Sequence, residues 1–177
     1  MVYLLIIQAQ GSSIQLQSLL SLSNWGMMFT SIDDQALLLS DTNVNSFQNC
    51  FQICHQNIFC RIFDFDSQSH RCRLFEGNVN TMGSTTISSS SSSVVGVIQI
   101  VPGYFSNIGL PCSYCTESRY LTCLNSTCQC PSRTYFDGSI CSSQNLIGSQ
   151  CIAQKNCRID LNMTCLPRQQ CGRKFYF

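Results

Sequence analysis

The sequence predicts an α+β domain followed by small disulfide-stapled modules with little regular structure. Three observations lead there. One amphipathic helical stretch falls at residues 47–54, a β-hairpin pattern and a late β-branched run follow it, and the cysteine density climbs towards the end. The chain has 177 residues and 14 cysteines; ten of these lie between Cys112 and Cys171, and residues 1–49 contain none. Reducing compartments keep thiols open and rarely select them at this density, so the composition points outside the cytosol. The net charge is +1 and charged residues make up 11%. That balance argues against a nucleic-acid partner, whose recognition rests on clustered cations that neutralise phosphates. No transmembrane segment is expected, because the longest unbroken apolar run, Val2–Ile7, is far short of the roughly 20 residues needed to span a bilayer.

The elements read in order as follows. Residues 1–11 (MVYLLIIQAQG) have an apolar stretch followed by small residues at Ala9 and Gly11. They read as a degenerate secretory signal segment or equally well as a first β-strand, because no cation precedes the run and it is shorter than a usual signal core. Asn45 or Ser46 can cap a helix that begins at Phe47. Phe47, Cys50, Phe51 and Cys54 then recur at helical spacing, which puts both cysteines on one side, facing neighbouring strands. CRIFDFD (60–66) and RCRLF (71–75) alternate about the polar turn 67–70, a hairpin signature. The six serines Ser88–Ser93 read as a flexible loop, since they offer no apolar surface to bury. VVGVIQIVPG (94–103) is β-branched and ends on Pro-Gly, so it reads as a strand rejoining a sheet.

The string Cys50-x3-Cys54-x5-Cys60, then Phe63-Asp64-Phe65-Asp66, then Cys72-Arg73-Leu74 resembles the core of the apple/PAN domain of extracellular adhesive proteins. The likeness is tight over about 30 residues and looser over roughly 27–106. It implies an antiparallel sheet curved around one helix, with the bonds Cys50–Cys72 and Cys54–Cys60. The longer apple pattern has a third bond from terminal cysteines. The cysteine-free residues 1–49 therefore place this chain with the four-cysteine PAN variant. Spacing alone leaves all three connectivities of four cysteines open. Closing the 50–72 loop would restrict the unfolded chain by about 3 kcal/mol.

The end of the chain contains an internal duplication, at 107–142 and 145–177. Ile108-Gly109-Leu110-Pro111-Cys112 echoes Ile147-Gly148-Ser149-Gln150-Cys151, and Cys115-x7-Cys123-x4-Cys128 is matched by Cys157-x7-Cys165-x5-Cys171. The first copy adds Cys130 and Cys141. Six cysteines ending in C-x-C-x10-C, with Pro131 and Tyr135 after the fifth, are similar to an EGF-like module or to the EB-type cysteine repeats of invertebrates. That resemblance implies Cys112–Cys123, Cys115–Cys128 and Cys130–Cys141. In the second copy Arg173 replaces the fifth cysteine and no sixth follows, as in a truncated repeat. Cys151–Cys165 and Cys157–Cys171 remain, so every cysteine has a partner. A competing alignment sets CPSRTYF (130–136) against CGRKFYF (171–177) and would change this pairing. Two sequons, Asn125-Ser126-Thr127 and Asn162-Met163-Thr164, fall at nearly equivalent places in the two copies and are candidate glycosylation sites.

Catalytic chemistry is thin. Cys54, His55, Cys60, His70 and Cys72 include zinc-ligating residue types, but paired Cys-x2-Cys knuckles are absent and an oxidised cysteine cannot ligate as thiolate. No metal site or cofactor is expected. Adjacent Asp33 and Asp34 read as solvating a loop, and Asp64 and Asp66 as one face of a strand. No Gly-x-Ser-x-Gly, P-loop or His-Glu-x-x-His string is present, and a non-enzymatic role is expected. One surface stands out. If Cys60 and Cys72 both face the helix, cross-strand partners have numbers summing to an even total. The opposite face then sets Phe65 beside Arg71, Phe63 beside Arg73 and Arg61 beside Phe75. Arginine forks and aromatic faces there would suit glycans or an acidic partner. The competing reading makes the phenylalanines core and the arginine stems their cover.

Together these features predict an extracellular, non-catalytic recognition or adhesion protein, secreted or attached at the cell surface, that binds protein or carbohydrate. A secreted protease inhibitor and a structural matrix component are the alternatives. The sequence specifies neither the ligand nor the oligomeric state.

Overall fold

The computed structural model describes residues 18–102, 105–116, 118 and 120–173, together with the backbone of Leu5–Ile6. The rest of the 1–11 segment lies outside the described residues. The chain forms two compact units, Met1–Val101 and Pro102–Phe177.

The first unit is built on a six-stranded sheet, antiparallel at every pair. Its strands are β1 (Leu5–Ile6), β2 (Ser18–Leu22), β4 (Leu38–Asn43), β5 (Cys60–Asp66), β6 (Arg71–Glu76) and β8 (Ser93–Ile100), in the order β1-β2-β8-β5-β6-β4. β1 and β2 precede residue 27 and extend the sheet beyond β8. A short helix, α1 (Asp34–Leu37), leads into β4; Asp33 caps it by accepting the Ala36 amide, and the Ser31 hydroxyl donates to Asp34. The aspartate pair read as solvating a loop therefore organises a helix start.

The main helix, α2 (Phe47–Gln56), is capped by Ser46, whose hydroxyl oxygen accepts the Asn49 amide at 3.2 Å. It lies on one face of the sheet. Its Cys50 and Cys54 are buried with Phe63, Phe65, Cys72 and Leu74, and its Phe47 and Phe51 pack against that cluster. Two disulfides, Cys50–Cys72 and Cys54–Cys60, tie the helix to β6 and β5. Space under the helix is tight. A Cβ on Gly96 would come within 2.2 Å of the Phe63 ring, so the glycine in mid-strand lets the ring lie flat over β8.

The other face is covered by a two-stranded antiparallel ribbon, β3 (Met27–Ser31) with β7 (Gly83–Ile87). Phe29 of β3 is buried against Ile62, Phe75 and Val95, and the Phe29 and Phe75 rings meet edge to face at 5.0 Å. Neither MMFTS nor GSTTI alternates cleanly, and the sequence gives no sign of this second layer.

Among its described residues the second unit contains short 3₁₀ turns and three antiparallel hairpins: β9 (Thr122–Leu124) with β10 (Thr127–Gln129), β11 (Thr134–Phe136) with β12 (Cys141–Ser143), and β13 (Met163–Cys165) with β14 (Cys171–Arg173). Disulfides join Cys112–Cys123, Cys115–Cys128, Cys130–Cys141, Cys151–Cys165 and Cys157–Cys171. The first and third hairpins repeat one arrangement. The Gly109 amide donates to the Cys128 carbonyl as Gly148 does to Cys171, both glycines having φ +82. Cys128 donates back to Leu110, as Cys171 does to Ser149. These shared bonds match Cys128 with Cys171.

The sequons do not share that equivalence. Asn125 sits in the two-residue turn between β9 and β10, whereas Asn162 lies just before β13. The similar strings LNSTC and LNMTC suggest matched positions, but Cys128 ends the first string on the second strand of its hairpin, while Cys165 ends the other on the first strand.

Candidate functional site

The arginine–phenylalanine face expected from the hairpin does not form. Cys60 pairs with Glu76, but a register shift between Cys60 and Ile62 sets Phe63 opposite Leu74, Asp64 opposite Arg73 and Phe65 opposite Cys72. Beyond the bulge the partner numbers sum to an odd total, so the expected cross-strand pairs are wrong. The extra residue is Arg61, which is 6% exposed and whose guanidinium donates to the carbonyls of Ile58 and Cys60. Bulges shift the inward and outward alternation of a strand. Phe63 and Phe65 therefore face the helix, while Phe75 faces the β3–β7 ribbon. All three are buried, and they offer no surface for ligand stacking.

Arg73 takes a structural place. It forks onto Asp64 through Nε at 2.9 Å and through Nη2, donates Nη2 to the Phe29 carbonyl at 3.0 Å, and lies 5.2 Å from the Phe75 ring centre. Asp64 also accepts the Phe29 amide. Asp64 is buried and Arg73 partly so, and the pair pins the β3–β7 ribbon to the sheet. Burial raises the Asp64 carboxyl above its ordinary value, while the Arg73 bonds pull it back down.

Arg71 remains at the surface, its side chain 54% exposed, in a bidentate pair with Asp41. The guanidinium holds the Asp41 carboxyl below its ordinary range. Arg71 belongs to a rim that sequence reading did not assemble. At one end of the first unit, β2, β4 and β5 finish and β6 and β8 begin. Gly26 donates its amide to the Ser93 carbonyl, Ser88 donates to Gly26, Ser67 donates to Ser92, and Val44 donates to His70. These bonds gather the Trp25–Gly26 turn, the Ser67–His70 turn and the serine tract.

The tract is an ordered loop rather than a flexible one. Asp66 Oδ1 accepts the hydroxyls of Ser90 and Ser92, each at 2.7 Å, and Oδ2 accepts the hydroxyl of Ser69 at 2.6 Å. The Ser69 bond, then those of Ser92 and Ser90, hold this carboxyl well below the usual carboxylate range. Hydrogen bonding to one distant carboxylate orders a segment that lacks apolar content. Around this hydroxyl crown, Trp25 is 63% exposed and Ile87 is 85% exposed. Loops held at one end of a rigid sheet are a common place for recognition. Here the loops present an indole, an aliphatic side chain, serine hydroxyls and an arginine. The sequence signal for Trp25 was the turn-forming string Ser23-Asn24-Trp25-Gly26, an unusual setting for a large aromatic.

Four of the five zinc-type residues are otherwise engaged. Cys54, Cys60 and Cys72 are all in disulfides, and His55 stacks on Phe51 at 5.6 Å. Cys151, Cys157 and Cys171 cluster in the second unit but are likewise oxidised, which withholds the thiolates a metal would need. Among the described residues no helix is long and apolar enough to cross a membrane.

Comparison with known families adds one match. Residues 30–99 fit the family model of the PAN domain, and that span contains α2, the β5–β6 hairpin, both first-unit disulfides and most of the rim. PAN domains are extracellular modules that bind proteins or carbohydrates. No curated protein matches the chain.

Proposed function

We propose that this chain is a secreted or cell-surface recognition protein without catalytic activity, which binds a protein or carbohydrate ligand through its first unit. The PAN match over residues 30–99 carries the reading. The fully paired cysteines support it, since such a framework is rare outside an oxidising compartment. The second unit acts as two cysteine-rich repeats of EGF-like or EB type, the second abbreviated. The order of bonds in the first repeat, first to third, second to fourth and fifth to sixth cysteine, supports that assignment.

Within the first unit we assign binding to the rim of Trp25, Ile87, the serine tract and Arg71. An exposed indole beside hydroxyls and a guanidinium supplies a stacking face and directional hydrogen bonds, which suits a sugar or an acidic, aromatic-accepting protein surface. The test is a screen of the full secreted chain on neutral and sulfated glycans and on extracellular protein domains. For the ligand found, Trp25→Ala combined with Ile87→Ser is expected to weaken binding by about tenfold or more, as loss of an aromatic anchor does. The circular dichroism spectrum should stay unchanged. Undiminished binding by that variant and by Arg71→Glu would remove the rim from the proposal.

A further inference from the structure

We propose that Asn125 and Asn162 both carry N-linked glycans, and that Asn162 is modified only before its repeat folds. The inference rests on the extracellular reading, because the transferring enzyme acts in the secretory pathway. Both asparagines are exposed, and both have left-handed backbone conformations in connecting segments, Asn125 with φ 50 and Asn162 with φ 56. Asn125 and Ser126 (φ 64) together form the tight turn of the β9–β10 hairpin. Asn162 ends the one-turn 3₁₀ helix Ile159–Leu161 and donates its amide to the Ile159 carbonyl. A glycan at either side chain projects into solvent and displaces no packed group.

The two sites differ at the residue that completes the sequon. Transfer requires the enzyme to engage the threonine hydroxyl as well as the asparagine amide. Thr127 is half-buried at the hairpin turn, where its hydroxyl donates to the Leu124 carbonyl at 3.2 Å. Each threonine is followed directly by a bonded cysteine, Cys128 to Cys115 and Cys165 to Cys151, but Thr164, within β13 opposite Gly172, is only 7% exposed, and that burial separates the sites once Cys165 is bonded. Closing that disulfide and pairing β13 with β14 removes Thr164 from reach. Oxidation and glycosylation therefore compete at Asn162, while Asn125 escapes most of that competition. In the reaction the asparagine amide nitrogen bonds to the anomeric carbon of an oligosaccharide. The lipid-linked diphosphate leaves, and the amide gives up one proton.

The experiment expresses the chain in eukaryotic secretory cells behind an added secretion signal. Glycans are released enzymatically in heavy-oxygen water, and conversion of each asparagine to aspartate is read by mass spectrometry. A parallel culture receives a short pulse of dithiothreitol during synthesis. The expected result is high occupancy at Asn125 in both cultures, with partial occupancy at Asn162 that rises under the reductant. Asn125→Gln and Asn162→Gln should each remove one glycan's mass. Unmodified asparagines on chain secreted behind the added signal would overturn the glycosylation and leave the extracellular reading intact. Occupancy at Asn162 that ignores the reductant would overturn the order of events. Chain behind the added signal that is glycosylated yet keeps free thiols at Cys50, Cys54, Cys60 or Cys72 would count against the extracellular reading and support the two sites as acceptors.

Discussion

Replacing Arg73 with methionine is expected to destabilise the first unit by about 3–5 kcal/mol, the usual cost of stranding a buried charge. Asp64, 6% exposed, would lose a bidentate cation, and the Phe29 carbonyl would lose a donor, while the methionine still covers the Phe75 ring. Arg73→Lys should recover only part of the loss, because a single ammonium cannot reproduce the planar fork onto Asp64 and the reach to Phe29. The same change at Arg71 supplies the control. Its pair with Asp41 is at the surface, and Arg71→Met should cost no more than about 1 kcal/mol. The chain has one tryptophan, Trp25, and it lies in the first unit. Urea unfolding followed by Trp25 fluorescence therefore reads this unit without interference from the other. Equal effects at Arg71 and Arg73 would show that the Asp64 pair does not pin the β3–β7 ribbon.

The second large effect is expected at Cys50–Cys72. Changing both to alanine releases a loop of sequence separation 22 and removes two sulfurs that are wholly buried between helix and sheet. The entropy of the unfolded chain alone accounts for about 3 kcal/mol, and native disulfides of small extracellular domains commonly contribute 2–5 kcal/mol. Removing Cys54–Cys60, separation 6, should cost less, about 2 kcal/mol on the same relation. The Trp25 unfolding midpoint should fall in that order. A larger loss at Cys54–Cys60 would mean that the short bond, and the Arg61 bulge beside it, governs the stability of the unit.

Much of the first unit could be read from local pattern. The phenylalanine and cysteine spacing marked α2, the alternating runs marked β5 and β6, and the β-branched run marked β8, because each element carries its own periodicity. What could not be read depends on contacts between distant residues. The bulge at Arg61 inverts the alternation of β5, and nothing in CRIFDFD distinguishes a bulged strand from a regular one. The serine tract makes local serine-to-serine bonds that any serine run could make, while the acceptor that anchors it, Asp66, is more than twenty residues away. The β3–β7 ribbon shows no clean alternation because most of its side chains are only partly buried; Phe29 is fully buried on its inner face, with Met27 packed partly buried beside it. In the second unit the sequons looked equivalent because their neighbouring strings agree. The hairpin bonds, which align different cysteines, show that they are not. The candidate rim was illegible for the same reason as the serine tract: three separate segments, around Trp25, Arg71 and Ile87–Ser93, contribute to it, and only the sheet topology brings them together.

The most direct test of an extracellular, disulfide-built recognition protein is non-reducing peptide mapping of the full chain secreted from eukaryotic cells. The expected map contains seven bonds, with Cys50–Cys72 and Cys54–Cys60 in the first unit and the remaining five within the cysteine-rich unit. Free thiols at Cys50, Cys54, Cys60 or Cys72, or bonds that join the two units, would contradict both the fold described and the compartment in which it is proposed to act.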